Sequence, residues 1–385
     1  MESTEIVVKY YDKDEKFNGW LVIDRNKYAL SAGGIRVQKG LTQEKLENMA
    51  RNMSKKMAVW GLPINGAKCG IDYDPNSPKK DQALYKFMCA IKPFITLNYS
   101  MGADLNTNFA ELNDIANKMG ISSIKQSIQV AQNLSQADFN NYIKKLDNKV
   151  HNNISLGQIR AGWGVGSATI ELNTHLNSNN TFIIQGFGTL SKGILFRLRN
   201  EKINLNAIAD AEKCIVDTTG NGIDIDKLLN INSNLLPTDI SGIKVFPSNH
   251  IYQINADIFI AAATENVIND TNAESILVKG IVQGANLAVT TSANNILHKR
   301  GIYVTPSFVS GSAGTLFMNI LFGSEISSTS EELLAMSDNI MRNKINQLIE
   351  LSIKNKTSLE TEASILVEQC LNRTITGNPY SLSHI

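Results

Sequence analysis

The stretch TFIIQGFGTLS, residues 181–191, indicates the fold class of this chain. Its first five residues are mostly apolar or β-branched, as in a buried strand, and an apolar pattern at helical spacing follows from Thr189 to Asn200. A glycine turn between a strand and a helix lets backbone amides face a pyrophosphate. The pattern predicts a dinucleotide site with cofactor-binding residues Gly186, Phe187, Gly188, Thr189 and Leu190. A plain strand-to-helix turn is the alternative, because Ser191 replaces the third glycine.

Further strand-like runs follow this turn, separated by helical segments, at 205–209, 257–261, 280–283 and 302–305. Short continuous apolar strands alternating with helices are typical of a parallel sheet covered on both faces. The sequence therefore predicts an α/β protein with a doubly wound, Rossmann-type domain. Asp210 ends the strand LNAIA and lies twenty-two residues beyond Gly188, the spacing of an acid that accepts hydrogen bonds from the adenosine ribose. An acid at this place favours NAD over NADP, whose 2′-phosphate it would repel.

The N-terminal part contains a second unusual stretch, GLPINGAKCGI at residues 61–71, in which Lys68 is surrounded by residues with very small side chains. Such neighbours let backbone or a ligand approach the ammonium closely, although a surface turn is the alternative. The preceding stretch, residues 42–59, has apolar residues at helical spacing. Lys56 lies on the edge of its apolar stripe, either holding a ligand or extending its charge into water.

Composition limits the function classes. The chain has 385 residues, 37 of them basic and 36 acidic, without a dense basic run, which argues against nucleic-acid binding. Four widely spaced cysteines form no CxxC pair, so no metal site is predicted. Neither a signal peptide nor a membrane span is expected, and we predict a cytoplasmic protein with small-molecule partners. The polar residues 120–157 are interpreted as a surface connection between domains.

Taken in order, these motifs resemble the glutamate/leucine/phenylalanine/valine dehydrogenase family over nearly the whole chain. The resemblance rests on GGIR (33–36), MSKKMA (53–58), PINGAKCGIDYDP (63–75), ADLNT (103–107), RAGWGV (160–165), QGFG (185–188), QGAN (283–286) and the segment 306–314. It implies a substrate-binding and oligomerisation domain at 1–140, a Rossmann domain at 141–325, and a helical segment at 326–385 that returns to the first domain. It also implies a homo-oligomer and reversible oxidative deamination of an L-amino acid with NAD, or less favourably NADP.

The resemblance also implies roles for individual residues. Lys68 matches the catalytic lysine, whose pKa is lowered by burial in the family, and Asp104 the aspartate that exchanges protons with the amino group. In isolation Asp104 could equally cap a turn. Lys56 matches the lysine that holds the substrate α-carboxylate. The other matches are Gly33 and Gly34 near the substrate, and Ala262 and Asn286 near the cofactor.

Substrate preference is inferred from two further positions. Glutamate-specific members have a lysine at the position of Ala32 and a serine at that of Met318, and both contact the substrate's side-chain carboxylate. Without these partners a buried carboxylate is costly. The sequence therefore favours an apolar or aromatic substrate and the leucine/phenylalanine/valine branch, with glutamate less favoured.

Several family positions are changed. The segment 306–314 lacks an aspartate, an asparagine and a glycine of the family pattern, and Asn106 and Ala288 replace a glycine and a proline. These changes put the cofactor geometry of the loops 283–291 and 306–314 in question. A non-catalytic relative that acts as a binding or regulatory subunit is therefore the alternative to an active dehydrogenase.

Overall fold

The computed structural model describes residues 4–152, 154–177 and 179–385. Residues 1–3 of the N-terminal stretch, Asn153 in the expected connection, and Ser178 lie outside the described residues. The chain divides into two compact units, residues 1–140 with 367–385, and residues 141–366. Of the predicted C-terminal segment 326–385, only residues 367–385 belong to the first unit.

The first unit is built on a five-stranded sheet with the order β1-β2-β4-β3-β5 in its described residues. β1 pairs antiparallel with β2, and β2 pairs antiparallel with β4. β3 lies between β4 and β5 and is parallel to both. The strands are Ile6–Asp12 (β1), Phe17–Ile23 (β2), Ser31–Val37 (β3), Asn65–Ile71 (β4) and Tyr99–Ala103 (β5).

Helices cover both faces of this sheet. On one face, Leu46 and Ala50 of the first helix pack with Trp20 and Val22. The other face carries the larger apolar core, to which residues before and after β5 contribute, including Ile124. The helices are Gln43–Ala58 (α1), Lys80–Ala90 (α2), Lys92–Leu97 (α3), Phe109–Lys118 (α4), Gln126–Gln132 (α5) and, across the boundary of the units, Gln136–Lys145 (α6).

The second unit contains a seven-stranded sheet, again counted over its described residues, with the order β11-β10-β9-β8-β12-β13-β14. The five strands from β9 to β14 in that order are parallel, whereas β10 runs antiparallel to both β9 and β11. The predicted Rossmann-type fold class is therefore confirmed, with an antiparallel edge that is absent from the sequence-based prediction. The strands are Thr181–Gln185 (β8), Asn204–Ala209 (β9), Lys213–Asp217 (β10), Ile243–Pro247 (β11), Ile258–Ala261 (β12), Gly280–Gln283 (β13) and Tyr303–Thr305 (β14), after a short hairpin of Lys149–His151 (β6) and Ile154–Ser155 (β7).

Long helices flank the second sheet. The helix α7 packs against α8, α11 and α12, and glycines on α7 allow the close approach of neighbouring backbone. No helix in the described part of the chain is both long and apolar enough to span a membrane. The helices are Leu156–Leu176 (α7), Thr189–Leu198 (α8), Ile225–Leu229 (α9), Thr291–Lys299 (α10), Ala313–Gly323 (α11), Ser330–Asn355 (α12) and, across the boundary, Leu359–Asn372 (α13), with short 3-10 turns at Ser248–Gln253, Ser310–Ser312 and Leu382–His384.

Candidate active site

The first candidate site lies on one face of the sheet of the first unit, across β4, β3 and β5. Because side chains alternate along a strand, Lys68 shares this face with every second residue of its neighbours. Ile35 is paired with Cys69 and with Ala103, so Gly34 lies between Lys68 and Gly102. Asp104 follows directly after β5. The fold thus brings the two predicted catalytic residues to one face, from strands that are not adjacent.

Lys68 and Asp104 form a direct ion pair. The Lys68 Nζ atom lies 2.8 Å from Asp104 Oδ2, and their side chains are only 8% and 17% exposed. Arg36 donates from Nε to the same oxygen at 2.8 Å, and its terminal nitrogen donates to Gln38 Oε1 at 3.0 Å. Arg36 is not among the residues predicted from the sequence, although the alternation along GGIR places it on the face of Lys68.

The charges of this cluster control the protonation of Asp104. Burial alone would raise the pKa of Asp104, but the positive charges of Lys68 and Arg36 and the hydrogen bonds they donate hold that pKa well below its usual range. Asp104 is therefore a carboxylate at neutral pH, which is the form that accepts a proton. The Thr107 hydroxyl accepts a hydrogen bond from the backbone N–H of Asp104 at 2.9 Å and fixes the turn that carries it.

Lys56 is placed close to this cluster by α1. It is 5% exposed, whereas Lys55 beside it is exposed. Burial and, to a lesser degree, the nearby positive charge of Lys68 lower the pKa of Lys56 to about 8, against an opposing effect of Asp104. An anion that binds beside Lys56 would stabilise its charged form.

The small residues around Lys68 serve two different purposes. A Cβ added at Gly66 would lie 2.1 Å from the backbone nitrogen of Ser54, and one at Gly70 would lie 2.7 Å from the carbonyl oxygen of Arg36. These two glycines therefore admit the protein's own backbone. Around Gly102, by contrast, the nearest atoms to an added Cβ are Gly33 O at 3.8 Å and Lys125 Nζ at 3.9 Å. An added Cβ at Gly102 would make only ordinary van der Waals contacts, so the sheet is packed less tightly at Gly102 than at Gly66 and Gly70.

Two further glycines of the predicted substrate site are packed tightly. A Cβ at Gly33 would lie 1.7 Å from the carbonyl oxygen of Ala67, and one at Gly34 would lie 2.9 Å from the Asp104 Cβ. Gly33 O also accepts a hydrogen bond from the Tyr99 hydroxyl at 3.1 Å. Larger residues at either position would displace β4 or Asp104.

The second candidate site is the predicted dinucleotide turn of the second unit. Gly186 has a φ of +108°, and a Cβ there would lie 2.7 Å from the carbonyl oxygen of Ala262. Ala262 follows β12, which pairs with β8, so the turn lies where the order of the parallel strands reverses. Gly188 is the N-cap of α8, and an added Cβ would meet no atom within 4 Å. The backbone amides of Thr189 and Leu190, in the first turn of α8, are thus in a setting that fits a pyrophosphate.

Phe187 at the centre of this turn is an internal packing residue. It is 2% exposed, and the Lys192 ammonium lies 5.5 Å from the centre of its ring. Lys192 also donates to the carbonyl oxygens of Ile231 and Ser233 at 2.8 and 3.0 Å. These contacts hold the segment that follows α9 against the start of α8.

The carboxylate of Asp210 accepts hydrogen bonds from nearby backbone groups and lies beside a lysine. Its Oδ1 atom accepts the backbone N–H groups of Glu212 and Lys213 at 2.7 and 2.8 Å, and its Oδ2 atom accepts that of Leu236 at 2.6 Å. The Lys213 ammonium lies 3.5 Å from Oδ2. Burial opposes the charge of Asp210, but the three backbone donors and Lys213 lower its pKa. Its 1%-exposed side chain organises the β9–β10 turn, so it gives no geometric support to the ribose contact from which the NAD preference is derived.

The altered loops 283–291 and 306–314 are joined by buried hydrogen bonds. Gln283 donates to the carbonyl oxygen of Thr305 at 3.0 Å and accepts from the backbone of Val289 at 2.9 Å. Ser310, in the changed segment, donates to the carbonyl oxygen of Gln283 at 2.7 Å. The substitutions therefore leave the two loops ordered relative to each other. Asn286 is exposed beyond β13, and Met318 is half-buried on α11.

Comparisons with known proteins agree with this arrangement. Residues 157–375 match the family model described as Glutamate/Leucine/Phenylalanine/Valine dehydrogenase, and residues 3–120 match the Glu/Leu/Phe/Val dehydrogenase dimerisation domain. The chain belongs to this family. It is therefore an amino acid dehydrogenase, an oxidoreductase that acts on CH–NH₂ groups.

Individual relatives of the family differ in cofactor. The chain is 26% identical to the NADP-specific glutamate dehydrogenase of Saccharolobus shibatae, over 88% of this chain and 79% of that protein. It is also 26% identical to the NAD-specific glutamate dehydrogenase of Clostridioides difficile, over 80% of this chain and 73% of that protein. A nicotinamide cofactor is thus supported without a choice between NAD and NADP. These names do not support the expected closeness to the leucine/phenylalanine/valine branch.

The fold is also similar to that of a glutamate dehydrogenase of known structure. The hetero-hexameric glutamate dehydrogenase of Thermus thermophilus, solved in a leucine-bound form, superposes with a TM-score of 0.74 at 18% identity, over 95% of this chain and 88% of that one. Among the described residues of this family member, no group of three or more His, Cys, Asp or Glu side chains is arranged to hold a metal ion.

Proposed function

We propose that this chain catalyses the reversible oxidative deamination of an L-amino acid to a 2-oxo acid and ammonia, with Lys68 and Asp104 as its acid/base groups. The observation that carries the proposal is the buried contact of 2.8 Å between the Lys68 ammonium and the Asp104 carboxylate. Paired acid and base groups of this kind are needed to move protons as the amine becomes an imine and then a carbonyl. A nicotinamide dinucleotide, when bound, supplies the acceptor for the hydride of the substrate Cα.

The roles of the other groups follow from their charges. Asp104, held as a carboxylate, accepts a proton from the substrate ammonium, which leaves the neutral amine ready to become an imine. Lys68 polarises the developing carbonyl or activates the water that hydrolyses the imine. Lys56 binds the α-carboxylate, and Arg36 positions Asp104 through its 2.8 Å contact without touching the substrate. The overall balance is one amino acid, one water and one oxidised cofactor to one oxo acid, one ammonia, one reduced cofactor and one proton.

The cofactor site is proposed at the turn from Gly186 to Leu190, with Ala262 and Asn286 beside the nicotinamide half. The open space at Gly188 and the free approach to the N-terminus of α8 support a pyrophosphate there. NAD remains our proposed cofactor. NADP is the alternative, because the carboxylate of Asp210 already accepts backbone hydrogen bonds and this weakens the argument that it would repel a 2′-phosphate. Cytoplasmic location, assembly as a homo-oligomer, and substrate binding in the first domain remain parts of the proposal.

Two substrate classes are supported by different residues. Ala32 and Met318 offer no charge to a substrate side chain, which favours the apolar or aromatic class. Lys125 brings a cation to the strand beside Ala32, which favours an acidic side chain instead. The glutamate dehydrogenase names of the relatives agree with the second class.

The test measures the formation of reduced nicotinamide by its absorbance, first with NAD and then with NADP. The substrates are Glu, Leu, Val, Ile, Phe, Tyr and Trp. Turnover of one substrate class that disappears in Lys68→Ala supports the proposal, and Lys118→Ala on the exposed end of α4 is the matched control. Absence of turnover in both directions by folded protein would support the non-catalytic alternative, a binding or regulatory subunit.

A further inference from the structure

The second unit contains a cavity of about 390 Å³ that has no part in the proposed function. It lies beside β14, where α12 ends and α13 begins, and the residues that line it all belong to the unit 141–366. Its volume is within the range of about 300–1,000 Å³ that is typical of sites for small ligands. Because β14 is the last strand in the sheet order of the described residues, no neighbouring strand covers its outer edge there.

This cavity is separate from the predicted dinucleotide turn. Tyr303, which lines it, is in register with Phe182 of β8 through the intervening strands β12 and β13. Phe182 lies four residues before Gly186, a distance of about 13 Å along the strand, and β14 is three strands away from β8, a distance of about 14 Å across the sheet. The cavity is therefore at the amino ends of the parallel strands, whereas the dinucleotide turn follows the carboxyl end of β8.

Part of the cavity wall is apolar. Ile302, Val304 and Leu359 line it, and each of these side chains is almost fully buried. Ile353, on the last turn of α12, also lines it but is 54% exposed. The ring of Tyr303 packs edge-on against that of His175, with 5.2 Å between the ring centres, so this part of the wall is held in place. An apolar group that covered Ile353 would be stabilised by the removal of this exposed surface from water.

The polar part of the wall consists of donors without an acidic partner. Lys356, His298 and Asn294 line the cavity, and within the described ranges their side chains make no hydrogen bond or ion pair. None of the described residues that line it is an aspartate or a glutamate. Glu362, in the first turn of α13, accepts hydrogen bonds from the end of α12 and from the loop that follows, so its carboxylate is already bonded within the protein.

We infer that this cavity binds a small amphipathic organic anion. Its acidic head contacts Lys356 and His298, and its aliphatic or aromatic body packs against Ile302, Ile353 and Leu359. The oxygens of such a head are acceptors only, and lysine, histidine and asparagine side chains supply the matching donors. A cationic ligand would find no carboxylate in the wall, and a neutral apolar ligand would use only its apolar part. The inference does not depend on the proposed function.

The first experiment compares two fluorescent probes with the same aromatic body. The first, 1-anilinonaphthalene-8-sulfonate, is an anion, and the second, N-phenyl-1-naphthylamine, lacks the sulfonate. Both are titrated into the full-length protein and into Lys356→Asn, since asparagine tolerates the φ of +56° at this position. We expect the anionic probe to bind about two- to fivefold more weakly to the variant, as for an exposed ion pair, with the neutral probe unchanged.

The matched control is Lys354→Asn. Lys354 is also exposed at the end of α12 but does not line the cavity, so both affinities should be those of the native protein. Equal binding of the anionic probe to the native protein and to Lys356→Asn would overturn the inference. An equal loss for both probes would also overturn it, because the charge of the ligand would then have no role.

A second pair of variants tests the apolar part of the wall. Ile353→Glu places a negative charge beside the proposed anion, and we expect it to weaken the anionic probe more than Lys356→Asn does. Ile365→Glu, on α13 at a position that is 43% exposed and outside the cavity, should have no effect. Unchanged binding of the anionic probe to Ile353→Glu would count against the inference.

Competition then identifies the class of ligand and separates this site from the cofactor site. Hexanoate should displace the anionic probe, whereas hexylamine, which has the same body and the opposite charge, should not. NAD should leave the binding that depends on Lys356 unchanged, whether or not the protein has dehydrogenase activity. Displacement of this binding by NAD, or by hexylamine as well as by hexanoate, would overturn the inference.

Discussion

Replacement of Arg36 by methionine tests how the candidate site controls its aspartate. The change removes one of the two cations that contact Asp104 Oδ2 at 2.8 Å and retains the other, Lys68. Methionine preserves most of the volume of the arginine stem, whose Cγ atom lies close to Gly70, so the packing there is disturbed little. Asp104 should therefore remain in place with a weaker positive field around it.

Two estimates give the size of the expected change in the pKa of Asp104. A cation next to an aspartate lowers its pKa by about 1 to 3, so loss of Arg36 should raise the pKa of Asp104 by a similar amount. The hydrogen bond to a charged group is worth about 1.5–3 kcal/mol, which corresponds to about 1 to 2 in pKa. Both side chains are well under one third exposed, so solvent screening reduces neither value strongly.

The assay is the pH profile of kcat/KM for the best substrate of the panel. Its acid limb should move to higher pH by about 1 to 2 in Arg36→Met, because Asp104 must be ionised to accept a proton. The pH dependence of the free energy of unfolding should also change. The carboxylate of Asp104, with its lowered pKa, stabilises the fold above about pH 4 and loses this effect as the pH falls through the folded-state pKa. In Arg36→Met, where the folded-state pKa is higher, this contribution should be smaller and its loss should be complete at a higher pH. An unchanged acid limb in a folded variant would refute the assigned role, and Arg51→Met, on the outer side of α1, is the control.

Four other substitutions test separate parts of the structure. Asp210→Ala should lower the free energy of unfolding by about 1–3 kcal/mol in urea denaturation, because buried backbone donors lose their acceptor, while the NAD/NADP ratio of kcat/KM stays nearly constant; a large change in that ratio would restore Asp210 as a ribose ligand. Gly66→Ala should destabilise the fold by about 1–3 kcal/mol through its clash with α1, whereas Gly188→Ala should leave unfolding unchanged and weaken dinucleotide binding. Pentanoate affinity should fall as the pH rises above about 8, where Lys56 loses its proton, and this fall should be absent in Lys56→Arg.

The sequence predicts the parallel part of the second unit because each strand is a short apolar run followed by a turn. It does not predict that β10 reverses direction, because an apolar run such as KCIVD has the same hydrophobic pattern in a parallel and in an antiparallel strand. The order β1-β2-β4-β3-β5 of the first sheet is likewise not contained in hydrophobic periodicity. Pairing between distant strands is decided by tertiary packing.

The candidate site, like the fold, is predicted only in part from the sequence. Lys68 and Asp104 are found from ordered motifs, and the structure brings them into contact. Arg36 is missed because a charged residue in a strand is ordinarily read as solvent-facing. Lys125 is missed because residues 120–157 are polar enough to be interpreted as a surface connection, although Ile121, Ile124 and Ile128 of that segment lie in the core. The hydrogen bond that ties Met101 to Ile124 and the one that Lys125 donates to Ser100 show that Lys125 reaches the sheet.

The small residues on the face of Lys68 are constrained in different ways. Gly66 and Gly70 are fixed by contacts with the protein's own backbone, so they are constrained by packing. Gly102, on the same face, is not held in this way, and the cation nearest to it comes from a separate segment. A segment outside β3 and β5 thus brings a positive charge to this face of the sheet. A comparison of motif positions alone, as at Ala32, therefore gives only part of the distribution of charge on this face.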